Sequence, residues 1–243
     1  QLSSAKEIKN AWYEQPEDDV MRVIIELKHP QNWGYRIFYS DNNKLTIRVN
    51  RQPRIPDLSH IKIAIDAGHG GDNIGTTGTR SHIQEKDYTL LIAKEVNRQL
   101  IKKKANVVMT RVKDTTLSMY ERIRFLEQQH PTLLISIHLN SSDKDSISGV
   151  STYYRYIGFR PLSQAILKSM LQLGLNEFGN VGSFNFSLSG PTDYPNCLVE
   201  VAFLSNKKDE KKILDSKFRQ QVAAKIIAGI ENFLKNSAID QTN

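Results

Sequence analysis

The chain has 243 residues, room for one large domain or for one domain with a small appendage. Hydrophobic residues make up 39% of it and charged residues 24%, which excludes a disordered chain; its single cysteine, Cys197, excludes an internal disulfide. No run reaches the ~18 apolar residues of a membrane span, and the excess of 33 Lys+Arg over 26 Asp+Glu, formally +7, suits an anionic polymer, a membrane surface, nucleic acid or simply a solvated exterior.

Residues 1–52 alternate in the manner of β-structure. Strands are predicted at 20–27, 35–40 and 44–50, with Asp41, Asn42 and Asn43 forming a hairpin turn. Three strands make a poor independent core, so they are expected to pack on the main domain or to belong to a larger β-domain. Pro53 and Pro56 mark 51–60 as a linker. The chain thus divides into a β-rich N-terminal extension with its linker, 1–55, and a main domain, 56–243.

From Ile61 onward strands and helices alternate. A strand at 61–66 precedes a helix at 85–104, whose face carries Tyr88, Leu91, Ile92, Val96 and Leu100. A strand at 106–110, a helix at 116–129 and a strand at 133–138 follow, then a strand at 150–156 and a helix at 162–178. A strand at 197–203 leads to a last helix, about 217–235, with Phe218, Val222, Ile226, Ile230 and Leu234 at four-residue spacing. This order implies an α/β fold: a mainly parallel central sheet with helices on both faces, preceded by a small β-rich N-terminal region. No signal peptide pattern is visible at Gln1.

Three apolar strands each carry one reactive group. IKIAIDAGHGG presents His69, LLISIHLN presents His138, and CLVEVAF carries Glu200. A carboxyl in an apolar strand is costly unless it is paired or works on a metal. Two histidines and a glutamate suggest one site, and zinc is the metal such donors suit best. Ligands of open α/β sheets bind beyond the carboxyl ends of the strands, where His69 and His138 both fall. Gly68, Gly70 and Gly71 would let the chain turn tightly around His69. His29, His60, His82 and His130 read as solvated.

A structural zinc would need a fourth ligand, usually sulfur. Cys197 lies in an apolar strand and reads as a buried, inert thiol. A catalytic zinc with three protein ligands fits better, and its third ligand should be a carboxylate at the same edge. Glu85, at a helix start, could be that ligand or merely complement the helix dipole. Asp66 could orient a ligand by a hydrogen bond or cap a turn. Position alone leaves both open.

Several ordered motifs carry a resemblance. AIDAGHGG is followed by Gly75, Thr76, Gly78 and QEKDYTLLIAKEVNRQL; then come VMTRVKD with Asp114, Arg122 on a helix, SIHLNS, GVSTYY and LVEVAFLSN. From about residue 61 to 234 the chain resembles the zinc-dependent N-acetylmuramoyl-L-alanine amidases of bacterial cell walls. The resemblance implies one Zn2+ ion on His69, Glu85 and His138. It implies Glu200 as the catalytic glutamate, a substrate contact at Asn140, and peptidoglycan as the partner. It also implies work outside the cytoplasmic membrane, in the periplasm or cell wall, and leaves a protein activator open. Some members carry a long insertion with a helix that blocks the zinc. Here 156–181 reads as one ordinary helix, so an open site is expected. The segment 181–196, rich in Ser, Gly, Pro and Asn, reads as a loop that borders the groove or simply connects.

Two rivals remain: a non-catalytic or regulatory peptidoglycan-binding protein of the same fold, and another zinc hydrolase acting on the same polymer. Nucleic acid is not expected as a partner, because the basic clusters at 102–104 and 207–212 lack interleaved aromatics.

Overall fold

The computed structural model describes residues 5–238; residues 1–4 and 239–243, the outer ends of the two expected regions, lie outside it. Strands β1 (Ile8–Glu17) and β2 (Val20–Leu27) form one antiparallel hairpin, and β3 (Tyr35–Ser40) and β4 (Lys44–Val49) another. The second turns through Asn42 and Asn43, both in left-handed backbone (φ 65° and 57°), a conformation asparagine tolerates. The main sheet has six strands in the order β6-β5-β7-β10-β8-β9. These are β5 (Lys62–Ala67), β6 (Asn106–Met109), β7 (Leu133–Asn140), β8 (Val150–Tyr153), β9 (Glu177–Val181) and β10 (Asn196–Phe203). β6, β5, β7 and β10 are parallel, β8 runs antiparallel to β10, and β9 runs parallel to β8.

Strand alternation separates two unequal faces. Ile63, Ile65, Ile135, Ile137, Val199 and Val201 point to one side. There they meet the apolar faces of α1 (Glu85–Lys102), α3 (Arg160–Met170) and α5 (Ser216–Ala238), including Ile92, Val96, Ile166, Ile226 and Ile230. This is the main core. Ala64 and Leu134 point to the other side, where they meet Leu126 of α2 (Met119–Gln129) together with Leu188 and Tyr194 of the loop before β10. The helices therefore lie on both faces, with far thinner cover on the second.

Local chemistry sets the helix ends. Ser118 accepts a hydrogen bond from Glu121 N while the Glu121 carboxylate accepts from Ser118 N, a reciprocal cap that starts α2 three residues later than the sequence suggested. His130 closes α2 in left-handed backbone (φ 47°) just before Pro131.

The structure corrects three sequence expectations. The helix expected over 162–178 ends at Met170, followed by a 3₁₀ turn at Leu171–Leu173, and the chain then forms the edge strand β9. Gly174 (φ 67°) halts the helix in left-handed backbone. β1 was not expected, since its polar sequence shows little alternation and its residues stay mostly exposed. The basic cluster at 207–212 is part of a helix, α4 (Lys207–Leu214), capped by the Asn206 side chain, which accepts from Lys208 N and Asp209 N.

The N-terminal region reaches the main sheet's domain through buried Trp33 and Gln52 and a more exposed ion pair. Trp33, 4% exposed, joins the main core and packs on Phe233 of α5 with ring centroids 5.4 Å apart. Gln52 donates to Ser237 O (3.0 Å), and Arg36 pairs with Asp193 (2.6 Å). Trp33→Ala is expected to cost about 3–5 kcal/mol, the usual loss for a large buried aromatic. Urea denaturation measures it; a loss near zero would show that the hairpins rest on the domain without stabilising it.

Candidate metal centre

β-pairing brings the chemistry-bearing residues to one place. Residues paired across strands share a face. Asp66 pairs with Ser136, His138 with Glu200, and Glu200 with Ser151. All therefore stand on the thinly covered face, toward the carboxyl ends of β5, β7 and β10. Glu85 reaches them from the first turn of α1, and His69 from the loop after β5.

The four candidates converge. Glu85 Oε1 lies 3.1 Å from His69 Nε2 and 3.1 Å from His138 Nδ1. One donor atom from each of His69, Glu85 and His138 lies within 4.8 Å of the others, a group that could hold a metal ion. Two imidazoles and a carboxylate are donors that suit zinc. Ligands at about 2.0–2.1 Å from one ion stand roughly 3.3 Å apart in a tetrahedral arrangement, close to the observed spacings. Among the described residues, Glu200 Oε2 is buried without a hydrogen-bond partner, as is His138 Nε2, the ring nitrogen that does not face Glu85. Such orphaned polar atoms are costly unless a cation or water meets them. The residues fit a bound metal.

Surrounding groups orient this set. His69 Nδ1 faces Asn73 Oδ1 at 2.8 Å, which leaves Nε2 turned toward Glu85. Glu85 also accepts from Leu139 N (2.9 Å) and Thr76 N (2.8 Å). A side chain at Gly68 would collide with the His138 ring, so only glycine lets the loop pass there. His69, Gly70 and Gly71 all take positive φ (62°, 134° and 57°), the tight turn the glycines suggested.

Asp66 is buried and bonded to Arg122, Thr110 (2.7 Å) and Ser136 (2.6 Å). It reaches His69 only through Arg122, which donates to His69 O and Ala67 O. Arg111 donates to Ala67 O (3.0 Å) and Gly68 O (2.9 Å), so two guanidinium groups hold three successive carbonyls of the loop. Asp114 accepts from Gly71 N (2.7 Å) and pairs with Lys86 (2.8 Å). Asn140, at the end of β7, accepts from Ser141 N through its own side chain (2.8 Å).

Electrostatics follow from the packing. Burial raises the Glu85 pKa, but hydrogen bonds from His138 and His69 outweigh it and hold the carboxyl at about 2. Glu200 has no such donor; burial pushes it up to about 7, against the pull of His138. Burial would also raise Asp66, yet Arg122 with the hydroxyls of Ser136 and Thr110 keeps it below the ordinary range. His138 is raised despite its burial, because Glu85, Glu200 and Asp66 surround it.

The loop over 181–196 borders the site. Phe186 lies edge-on to His138 (centroids 5.6 Å) and Phe184 lies against Tyr153 (4.6 Å). α3 packs against α5, on the far face of the sheet, so that segment does not cover the metal centre. Sequence reasoning assigned no role to Asn73 or Arg111. Asn73 sits in a glycine-rich loop with no periodic signal, and the Arg111 contacts are to backbone, which no side-chain pattern encodes.

Comparison with known proteins finds relatives of the chain. A family model described as N-acetylmuramoyl-L-alanine amidase matches residues 63–232. A Staphylococcus epidermidis protein named "Probable cell wall amidase LytH" is 31% identical over 175 residues, which are 72% of this chain and 58% of that protein. Its Staphylococcus aureus counterpart is 31% identical over 170 residues, 70% of this chain and 57% of that one. The chain thus spans under two thirds of the length of these relatives. Among solved structures, the catalytic domain of the N-acetylmuramoyl-L-alanine amidase CwlV from Bacillus (Paenibacillus) polymyxa var. colistinus superposes with a TM-score of 0.69 at 33% identity, covering 72% of this chain and 98% of that one. An N-acetylmuramoyl-L-alanine amidase from Clostridium difficile 630 gives 0.68 at 31% identity, covering 75% and 98%.

Asp66→Asn leaves Arg122 buried without its counter-charge and is expected to cost about 3–5 kcal/mol. The depressed pKa adds a sign. The Asp66 contribution is complete above the unfolded carboxylate pKa of about 3.9 and fades as pH falls through the lower folded value. Denaturation at neutral and acidic pH checks both; equal stability of variant and parent at neutral pH would mean the pair is dispensable.

Proposed function

The chain belongs to the N-acetylmuramoyl-L-alanine amidase family, and from that membership we propose that it hydrolyses the amide bond between N-acetylmuramic acid and L-alanine in peptidoglycan, with zinc held by His69, Glu85 and His138. The observation that carries this reading is the buried convergence of those three donors beside Glu200, a carboxyl with an unpartnered oxygen. A wall-binding protein without catalysis has no need of such a carboxyl. When bound, zinc supplies a Lewis acid that acidifies water and polarises the amide carbonyl.

The chain's own residues do the rest. Glu200, which burial pushes up to about 7 before any metal charge is added, is the group assigned to carry the proton. It takes the proton of the attacking water and returns it to the departing amine of L-alanine. Asn73 holds the His69 imidazole in place, and the Arg111 and Arg122 contacts hold the loop that carries His69. Asn140, at the end of the strand that carries His138, is the proposed substrate contact. The substrate implies a location outside the cytoplasmic membrane. Among the described residues no helix is long and apolar enough to cross a membrane.

Digestion of purified peptidoglycan, followed by mass spectrometry, tests the reading. Stem peptides beginning with L-alanine should appear, vanish on chelation and return with zinc. Release of acetate or of internal peptide fragments instead would assign a different hydrolase. Glu200→Gln is expected to keep bound zinc and lose turnover by a factor of about 10² or more. Normal turnover in that variant would refute its role. His69→Ala and His138→Ala should each lower zinc content measured by atomic emission, and full occupancy in both would sink the ligand assignment.

A further inference from the structure

The same edge of the sheet carries a second concavity. A groove of about 690 Å³ opens between the loop before α1, the connection from β7 to β8, and the start of α4. Its size is that of a small-ligand site. Arg80, Lys207 and Lys208 line it, and Asp145 is the one acidic residue in the lining. All three basic residues are exposed. Among the described residues none of them enters an ion pair, whereas Lys9, Arg98 and Lys103 on the surface all do.

These charges are placed by the fold. Glu210, buried, accepts from Arg80 N (3.2 Å), Ser81 N (2.8 Å) and Ser81 Oγ (2.6 Å), which anchors the chain at Arg80. Lys207 and Lys208 stand in the first turn of α4, where the helix dipole disfavours cations. The amides of Lys208 and Asp209 are already taken by Asn206, so the groove's attraction for anions comes from its side chains.

The segments that line the groove lead directly to those that carry the metal centre. Thr76 N donates to Glu85, and three residues later Thr79 lines the groove and donates to Leu204 O (3.4 Å). Leu204 N in turn donates to Asn140 O (2.8 Å), and Ser142 N to Ser205 Oγ (3.0 Å). Ser205, in the lining, is five residues beyond Glu200, at most about 16 Å along extended chain. An extended peptide of about five residues covers that span. The loop before β10 meets the site with aromatic side chains instead, Phe186 against His138 and Phe184 against Tyr153.

We infer that this groove is the specificity subsite for the acidic stem peptide, with Arg80, Lys207 and Lys208 receiving its free carboxylates. The inference rests on the amidase reading above, and gives the site a polarity: peptide toward α4, glycan toward the aromatic loop.

The test measures binding, so it does not depend on turnover. The probes are the stem tetrapeptide L-Ala–γ-D-Glu–L-Lys–D-Ala with both carboxylates free, and the same peptide with both converted to amides. Calorimetry on the full chain should show the acid form binding at least ten-fold tighter than the amide, with the preference shrinking as salt rises. In Arg80→Gln/Lys207→Gln/Lys208→Gln the preference should fall to about one, and Lys207→Arg/Lys208→Arg should retain it. Equal affinity of the parent for both peptides, or an undiminished preference in the triple glutamine variant, would overturn the inference. Carboxylate-selective binding, lost in that variant but without any hydrolysis of peptidoglycan, would uphold the groove and defeat the amidase reading.

Discussion

Parallel pairing of β7 between β5 and β10 places Asp66, Ser136, His138 and Glu200 on one face of the sheet, because side chains alternate with a period of two and paired residues share a side. A slip of one residue in either pairing would turn His138 or Glu200 into the main core, where Ile137 and Val199 now stand. The register is held by those apolar neighbours. Ile63, Ile65, Ile135, Ile137, Val199 and Val201 cannot leave the thick core without large cost, and the intervening polar residues are thereby fixed toward the other side.

Three carboxylates, Asp66, Glu85 and Glu200, are gathered in this small volume, and the protein treats each differently. Asp66 is fully matched by Arg122 and two hydroxyls. Glu85 is matched by two imidazoles and two backbone amides. Glu200 is left with an unpartnered oxygen. Charges that are paired remain ionised, and the one left unpaired has its pKa raised toward neutrality. That division separates a scaffold carboxylate, a ligand carboxylate and a proton carrier by environment alone. The guanidinium groups of Arg111 and Arg122 extend the order into the loop backbone, so that His69 is held in left-handed conformation by its surroundings.

The unequal covering of the sheet explains why a site can exist there at all. α1, α3 and α5 seal one face. The other is covered by α2 and the loop before β10, around the small cluster that includes Leu126 and Leu188. The aromatic side chains of that loop reach the metal centre directly, Phe186 lying edge-on to His138.

Much of this was legible in the chain. The order of strands and helices, the glycine turn at His69 and the placing of His69 and His138 at strand ends follow from apolar periodicity and from glycine's freedom, which are local properties. The role suggested for Glu85 needed the resemblance, since a helix-start carboxylate has an ordinary dipole explanation. What lay beyond the sequence were the relations between distant segments. β1 and α4 lack a strong apolar rhythm and are held by pairing and by a cap. β9 follows a glycine that ends a helix whose pattern could have continued. The partners of Asp66, the backbone contacts of Arg111, and the meeting of Arg80 with Lys207 and Lys208 each join residues separated by tens to more than a hundred positions. Periodicity sets which way a side chain faces; only closure of the sheet and the packing of its connections decide what it meets.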